Sequence, residues 1–583
     1  MISSWVLTLL IFTPLVGAVL LILPPYGDDK AVRRGAMIYS LGTLALAIYA
    51  VVLFYGDAYS IAAEDMRYRL QHAKPWIEGE IIAVTLSNGS VQHLPSIDIG
   101  YRVGVDGISL WLVVLTAFLM PLAVWSSSTA VTSRVREYYF LLLLLESALL
   151  GAFCALDLLL FYVFFEFTLV PLYFLIGIWG GPDRRKAASK FFIYTLTGSV
   201  LTFAGIVYLG YFAFTRMGYL TTNIEELVRL GHEGFLPFGL QCVLFLAFAA
   251  GFAIKVPLFP LHTWLPLAHT EAPTAGSVIL AGVLLKLGTY GFCRISIPML
   301  PDAAAHFAPA VAWLAIIGII YAALAAWVQR DVKKLVAYSS VSHLGFCMLG
   351  LFSLKVAGVV GGSLYMINHG LSTGALFLVV GCIYERYHTR DIHQIGGLAR
   401  AMPWMAFFLV FFTLSSIGLP GLNGFVSEFL VLLGTATSAS VSDGRPAGPL
   451  GFGYVIPAAL GIILGAVYML WMCQRVLFGP LSEPAHTPDT SRGLARDLTR
   501  REIFILAPIA AACLFLGVYP KPMVDSLEVA TRQHILREPY TFAIPTEQDE
   551  AAIAPSLPAV GGMNTGVDSV VLGHDLDTAE VRP

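Results

Sequence analysis

The chain has 583 residues, of which 57% are hydrophobic and 13% charged, with a formal net charge of −3 and a mean hydropathy of +0.76. Soluble domains carry roughly a quarter charged residues, so this chain has too little polar surface to cover a water-soluble body. The composition excludes a disordered chain, a nucleic-acid binder and an ordinary cytosolic enzyme, and leaves a polytopic membrane protein.

The segment from Met1 to Leu23 lacks a basic leader and a small-residue cleavage site before Pro24, and reads as a retained first span. A bilayer core of ~30 Å takes about 20 apolar residues of helix. That ruler predicts fourteen spans, at about 5–24, 33–55, 106–128, 137–155, 157–180, 190–215, 238–262, 273–297, 308–329, 332–352, 358–385, 403–437, 453–478 and 501–520. Residues 56–105 are polar, with Asp57, Glu64, Asp65, Glu78, Glu80 and Asp98, and read as an extramembrane loop. Beyond Pro520 the chain turns acidic and rich in Pro, Gly and Ser, which predicts an extended arm or disorder over 521–583 and not a domain.

Lys and Arg concentrate on the cytoplasmic side of membrane proteins. Loops after odd-numbered spans hold 20 of them, loops after even-numbered spans hold nine, among them Arg294 and Lys355, and the tail holds four. The odd loops, which include Lys333 and Arg386, therefore face the cytoplasm, and both termini lie on the other side. Two of the 35 cations remain, Lys255 and Lys286, each deep inside an apolar span.

A charge at mid-bilayer costs at least ~2.5–3.5 kcal/mol, so it stays only where it faces other helices, water or a partner. The intramembrane set is Glu146, Glu166, Lys255, Lys286, His343, His369 and Glu428. Static ion pairs that fix helix register would account for one such pair more readily than for seven groups on seven spans. A lone membrane histidine is more often a satisfied helix–helix hydrogen bond, but both of these follow small and polar residues that can admit water, and imidazole titrates near neutrality, which favours a relay role. His262 and His269 read as interface or capping residues. Glu271, Asp331, Lys333, Lys334 and Asp391 sit at span ends, where solvation or subunit contact is the default.

Two spans are broken beside these charges. Pro257 and Pro260 follow Lys255 and remove the hydrogen bonds that the Ala253 and Val256 carbonyls would accept, leaving them for the Lys255 ammonium and water. Pro420, flanked by Gly418, Gly421 and Gly424, precedes Glu428. Broken helices next to intramembrane charge are a transporter signature. Spans four to eight (137–297) and nine to thirteen (308–478) each place the broken helix fourth. Five spans per unit reverse the entering side, so the two units form an inverted repeat. This gives an all-α fold of about fourteen spans: residues 1–136 as the first three helices with their loop, the two repeats, 479–520 as the last loop and helix, and the tail.

Several stretches then resemble a known family. They are His-Thr-Glu-Ala-Pro-Thr-Ala-Gly-Ser-Val (269–278) with Leu-Ala-Gly-Val-Leu-Leu-Lys-Leu-Gly-Thr-Tyr-Gly (280–291), Phe-Phe-Glu-Phe-Thr-Leu-Val-Pro-Leu-Tyr-Phe-Leu-Ile (164–176), Asp-Val-Lys-Lys-Leu-Val-Ala-Tyr-Ser-Ser-Val-Ser-His-Leu-Gly (331–345), and Gly-Val-Tyr-Pro-Lys-Pro (517–522). From about Trp5 to Asp525 the chain resembles the antiporter-like subunit M (chain 4) family of the proton-pumping NADH:quinone oxidoreductase, respiratory complex I. The resemblance implies that Glu166 governs the protonation of the broken-helix Lys255, that Lys286 is the bridging lysine, that His343 and His369 are central relay positions and that Glu428 is the acidic end group. Sister subunits and sodium/proton antiporters typically have lysine at that last position. Glu146 falls in a family region outside the core relay. Leu267 stands where the family usually has aspartate, in Trp-Leu-Pro-Leu-Ala-His, which puts in doubt any charge tuning of His262 and His269 from there.

The expected path runs Lys255, Lys286, His343, His369, Glu428, with waters in the gaps. The seven cysteines are at least 35 positions apart and no glycine-rich dinucleotide fingerprint is present, so redox chemistry is expected elsewhere. The resemblance implies partner subunits, including neighbouring antiporter-like ones, that hold NADH, FMN, iron–sulfur clusters and quinone, in a bacterial cytoplasmic membrane. A cation/proton antiporter subunit and a non-transporting scaffold are the competing readings.

Overall fold

Long apolar runs bounded by polar caps set the helices of this chain. In the computed structural model, residues 2–23, 28–56, 68–85, 91–441, 447–485, 487–490 and 494–536 are described. They fall into one large unit, within 2–82 and 93–536, and a small one, within 83–92. Only 83–85 and 91–92 of the small unit are among the described residues; they are extended.

The helices are, in order, α1 (Ile2–Ile22), α2 (Asp29–Gly56), α3 (Gly107–Ala130), α4 (Val135–Cys154), α5 (Leu158–Phe167), α6 (Leu169–Trp179), α7 (Arg184–Met217), α8 (Ile224–His232) and α9 (Phe238–Lys255). After the first break come α10 (Leu265–Glu271), α11 (Thr274–Ile279), α12 (Leu285–Gly291), α13 (Ile297–Met299), α14 (Pro301–Trp327), α15 (Val332–Phe352) and α16 (Val356–Tyr387). The chain continues through α17 (Pro403–Ser416), α18 (Asn423–Thr437), α19 (Phe452–Leu477), α20 (Arg500–Val518) and α21 (Lys521–Ala530).

Among the described residues, thirteen helical segments are long and apolar enough to cross a membrane. The remaining predicted span, 403–437, is two half-helices, α17 and α18, and the predicted 238–262 span ends early, at Lys255. Pro14, Pro121, Pro309, Pro457 and Pro508 all lie inside helices that continue past them. A lone proline therefore does not break a helix here. The second break needs glycine as well: Gly418 and Gly421 have φ of +72° and +93°, the left-handed region that costs an L side chain strain.

Burial sorts the spans into layers. In their most apolar 18-residue stretches, Thr274–Met299 is wholly buried and Val332–Phe352 and Val356–Tyr387 are 94% buried, against 22% for Asp29–Gly56 and 33% for Phe452–Leu477. The enclosed helices are those that carry Lys286, His343 and His369. The outer helices present apolar side chains such as Ile38, Val52, Val200, Val207, Ile456 and Ile463 outward, as lipid contact requires.

Two expectations need correction. The 56–105 region is not merely a loop: β1 (Arg69–Glu78) pairs antiparallel with β4 (Ile97–Val105), which pairs parallel with β5 (Leu220–Thr221). Two further strands, β2 (Ile81–Thr85) and β3 (Val91–Pro95), lie between them in the chain. Asp57, Glu64 and Asp65 lie outside the described residues. The start of the acidic tail is also structured. In α21, Met523, Leu527 and Ala530 are buried, and Trp111 of α3 donates its indole N–H to Ser526 Oγ at 2.8 Å. Apolar residues at helical spacing outweigh the polar composition of this stretch. Residues 537–583 lie outside the described part.

Candidate functional site

Lys255 ends α9 at the first break, fully buried. The carbonyls freed by the prolines are not its partners, contrary to expectation. Leu258 N–H donates to the Ala253 carbonyl at 2.9 Å, and Trp264 Nε1 donates to that of Ile254 at 2.9 Å. The Lys255 ammonium reaches instead across to the joint between α5 and α6, donating to the Phe165 carbonyl and to Thr168 Oγ1 at 3.1 Å each, with the Phe165 ring 3.9 Å away. At this joint Thr168 Oγ1 donates back to the Phe165 carbonyl at 2.8 Å, and Pro171 has no N–H for the Phe167 carbonyl. Glu166 sits half-buried on the same joint, and Ser199 and Lys255 are the polar groups that act on it. Among the described residues no ion pair within 4.0 Å joins Glu166 and Lys255.

Lys286 lies in α12 between two π-helical turns, Leu280–Leu284 and Phe292–Ser296. Such widened turns leave carbonyls turned off the helix ladder. Lys286 Nζ donates to the Ala281 carbonyl at 2.5 Å and lies 2.7 Å from His369 Nδ1. His369 on α16 is followed by His343 on α15, with ring centroids 5.7 Å apart. His343 Nδ1 is 2.7 Å from the Tyr365 hydroxyl, which donates to Glu428 Oε1 at 2.7 Å. The histidine order is thus the reverse of the expected one: Lys286, His369, His343, Tyr365, Glu428. Helix packing decides this, since α16 lies against the Lys286 segment at His369 while α15 brings His343 to the far side.

Tyr365 is absent from the sequence-derived set because a tyrosine in a membrane helix is usually packing. The signal was present: it lies four residues before His369, on the same helical face. Glu428 begins beyond the second break, in the first turns of α18, and is 6% exposed. Two asparagines lock that break to α16. Asn368 Nδ2 donates to the Asn423 carbonyl at 2.6 Å and to Ser427 Oγ at 3.0 Å, and Asn423 Nδ2 returns a bond to the Asn368 carbonyl at 3.2 Å.

Other candidates stay off this file. Glu146 is fully buried in α4, and neither of its oxygens has a hydrogen bond among the described residues. His262 stacks on Phe259 and packs edge-on to Tyr321. His269 stacks on Phe377 at 4.7 Å, and Leu267 packs at the edge of the core. Glu271 and Lys333 are buried, not solvated: Glu271 Oε2 accepts the Asp183 N–H at 2.9 Å, and Lys333 Nζ donates to the Ala272 carbonyl at 2.5 Å. Asp331 caps α15 and pairs with Arg390, while Asp391 accepts the His393 N–H. A cavity of about 380 Å³ opens at the odd-loop ends of the helices, lined by Thr132, Arg184, Glu271, Lys333, Glu385 and Arg390 among others.

Four cations placed in loops by composition are inside. Arg294 is 2% exposed and pairs with Asp106 at 2.5 Å, with the Tyr68 and Tyr290 hydroxyls at 3.2 and 3.3 Å. Arg386 is fully buried and grips both oxygens of Glu502, at 2.8 and 2.7 Å. Lys333 and Lys355 are buried as well, the latter donating to the Ser440 carbonyl at 2.9 Å.

Enclosed helices, two broken spans and a buried file of ionisable groups define a membrane protein of the ion-translocating class. Comparison with known proteins narrows that class. A family model described as "NADH:quinone oxidoreductase/Mrp antiporter, TM" matches residues 155–442, and one described as "NADH-ubiquinone oxidoreductase chain 4, amino terminus" matches 80–152. The chain is 41% identical over 531 residues to NADH-quinone oxidoreductase subunit M of Rhodobacter capsulatus, covering 89% of this chain and 94% of the relative. A chain of respiratory complex I from Thermus thermophilus superposes with a TM-score of 0.73 at 30% identity, covering 91% of this chain and all of that one. A chain of the Mrp complex from Dietzia shares the fold at 18% identity, with a TM-score of 0.73 over 95% of this chain and all of that one. The chain belongs to the NADH-quinone oxidoreductase subunit M (chain 4) family.

Proposed function

We propose that this chain is the proton-translocating membrane subunit of an NADH:quinone oxidoreductase, and that Glu166, Lys255, Lys286, His369, His343 and Glu428 carry the proton. The observation that supports this most is the buried file from Lys286 to Glu428, in which each ionisable group faces another or a neutral acceptor. Charges used only to fix helix register would pair with opposite charges, and here they do not. Glu146, isolated in α4, stands outside the relay.

Lys255 is held by a carbonyl and a hydroxyl, both neutral. With Glu166 ionised nearby the ammonium form is favoured; when Glu166 takes a proton or moves away, burial disfavours it and the proton is released. Water carries the proton from Lys255 to Lys286. Lys286 passes it to His369 Nδ1, and the two imidazoles pass it towards Glu428. Moving one proton against ~100 mV needs about 2.3 kcal/mol. Gaining or losing one charge-assisted hydrogen bond, about 1.5–3 kcal/mol, is of that size. The cavity beside Lys333 and Glu271 supports water access from the cytoplasmic side, to which the excess of Lys and Arg assigns the odd loops.

The energy comes from partner subunits, which oxidise NADH through FMN and iron–sulfur clusters and reduce quinone. Those partners include neighbouring antiporter-like subunits, in a bacterial inner membrane with both termini of this chain on the non-cytoplasmic side. Residues 137–297 and 308–478 form the two inverted repeats, each supplying one broken helix. Glu428, in place of the lysine expected of antiporters, disfavours the cation/proton antiporter reading.

The deciding experiment is Lys255→Ala in membranes, with quinone reduction and proton uptake recorded together after assembly is verified. Both are expected to collapse in an intact complex. Both remaining near the parent level would make the buried charges structural and end this reading.

A further inference from the structure

We propose that Tyr365 is itself a proton-transferring residue, whose hydroxyl carries the proton directly between His343 and Glu428. The inference rests on the reading of the buried file as a proton path, and it adds a group that neither composition nor family resemblance assigns.

One oxygen atom makes both contacts. Tyr365 Oη lies 2.7 Å from His343 Nδ1 and 2.7 Å from Glu428 Oε1. A phenol has one O–H to donate and lone pairs to accept. Glu428, when ionised, can only accept, so the phenol donates to it and accepts from His343. This assigns the transferable proton of His343 to Nδ1 and leaves Nε2 for receiving. An imidazole that takes a proton on one nitrogen and releases another from the opposite one moves charge without turning its ring.

The step balances. Imidazolium His343 releases its Nδ1 proton to Tyr365 Oη as the tyrosine O–H proton passes to the Glu428 carboxylate. Two opposite charges are annihilated, leaving neutral His343, an intact phenol and a carboxylic acid. No tyrosinate is formed. Once Glu428 has passed its proton on, rotation of the hydroxyl about its C–O bond and return of His343 from the Nε2–H to the Nδ1–H tautomer restore the starting state.

The surroundings hold the oxygen in place. Phe346 meets the Tyr365 ring edge-on at 6.1 Å, and the His343 ring meets it at 5.9 Å. One turn earlier, α16 approaches α18 so closely that a Cβ on Gly361 would lie 2.7 Å from Val431 N. One turn later, the Asn368–Asn423 bonds tie the same two helices. Tyr365 and Glu428 thus sit between two clamps, and proton transfer over preset short distances needs little reorganisation.

The test uses the assembled complex in membrane vesicles and compares the parent with Tyr365→Phe and Lys255→Ala. Tyr365→Phe keeps the ring and removes the relay atom, and coupled proton uptake is expected to fall at least ~tenfold with assembly unchanged. Uptake within about twofold of the parent, while Lys255→Ala abolishes it, would overturn the role of Tyr365 and leave the relay standing. Indifference to both substitutions would overturn the relay, and this inference with it. Should Tyr365→Phe fail to assemble, a ring-fluorinated tyrosine placed at 365 keeps shape and packing and acidifies only the hydroxyl. A changed rate of proton uptake then supports the transfer, and an unchanged rate overturns it.

Discussion

Two sets of buried charge in this protein solve the same problem in opposite ways. Arg294 and Arg386 lie under the surface at the two ends of the helices, each against a carboxylate from a distant part of the chain, Asp106 and Glu502. Lys255 and Lys286 are as deeply buried, yet their partners are carbonyls, a hydroxyl and an imidazole. Arginine stays charged and its planar fork matches a carboxylate, so a buried arginine pair is a fixed clamp. A lysine amine, unlike a guanidinium, can exist in either protonation state, and neutral partners bind it without fixing its charge. Under the proposed relay, a charge that must stay is an arginine with a carboxylate, and a charge that must come and go is a lysine without one.

The comparison breaks most visibly at Asp106. Asp106→Asn leaves the Arg294 guanidinium buried and uncompensated, a loss of about 3–5 kcal/mol. The yield of folded protein in detergent should drop sharply and return when Arg294→Met is added. Arg386→Lys keeps the charge but loses the fork on Glu502, which should cost about 1.5–3 kcal/mol in thermal unfolding and leave proton uptake per assembled complex unchanged. Lys286→Arg converts the proposed carrier into a permanent charge. Proton uptake per assembled complex should fall at least ~tenfold, and uptake at the parent level would show that Lys286 never releases its proton. At the small end, Arg229 and Glu233 pair on the surface at 3.6 Å, both well exposed. Arg229→Ala should shift stability by no more than ~0.5 kcal/mol and transport not at all.

What the amino-acid sequence determined alone is what hydrophobic patterning and backbone chemistry determine. The membrane class, nearly all of the spans, the two breaks and six of the seven residues on or beside the proposed path stand out in the sequence, because apolar length and proline act locally. The charge on Lys255 and Lys286 stood out since nothing in their own segments could solvate it. Tertiary structure alone decided the partners. Arg294 and Arg386 look like loop residues until Asp106, 188 positions earlier, and Glu502, 116 positions later, are brought against them. Packing of α15 against α16 reversed the order of the two histidines and inserted Tyr365 between His343 and Glu428. Likewise Lys255 is turned to the α5–α6 joint, while the Ala253 and Ile254 carbonyls take donors from Leu258 and Trp264. A buried polar group is stable only once every partner is placed, and those partners come from helices far apart in the chain.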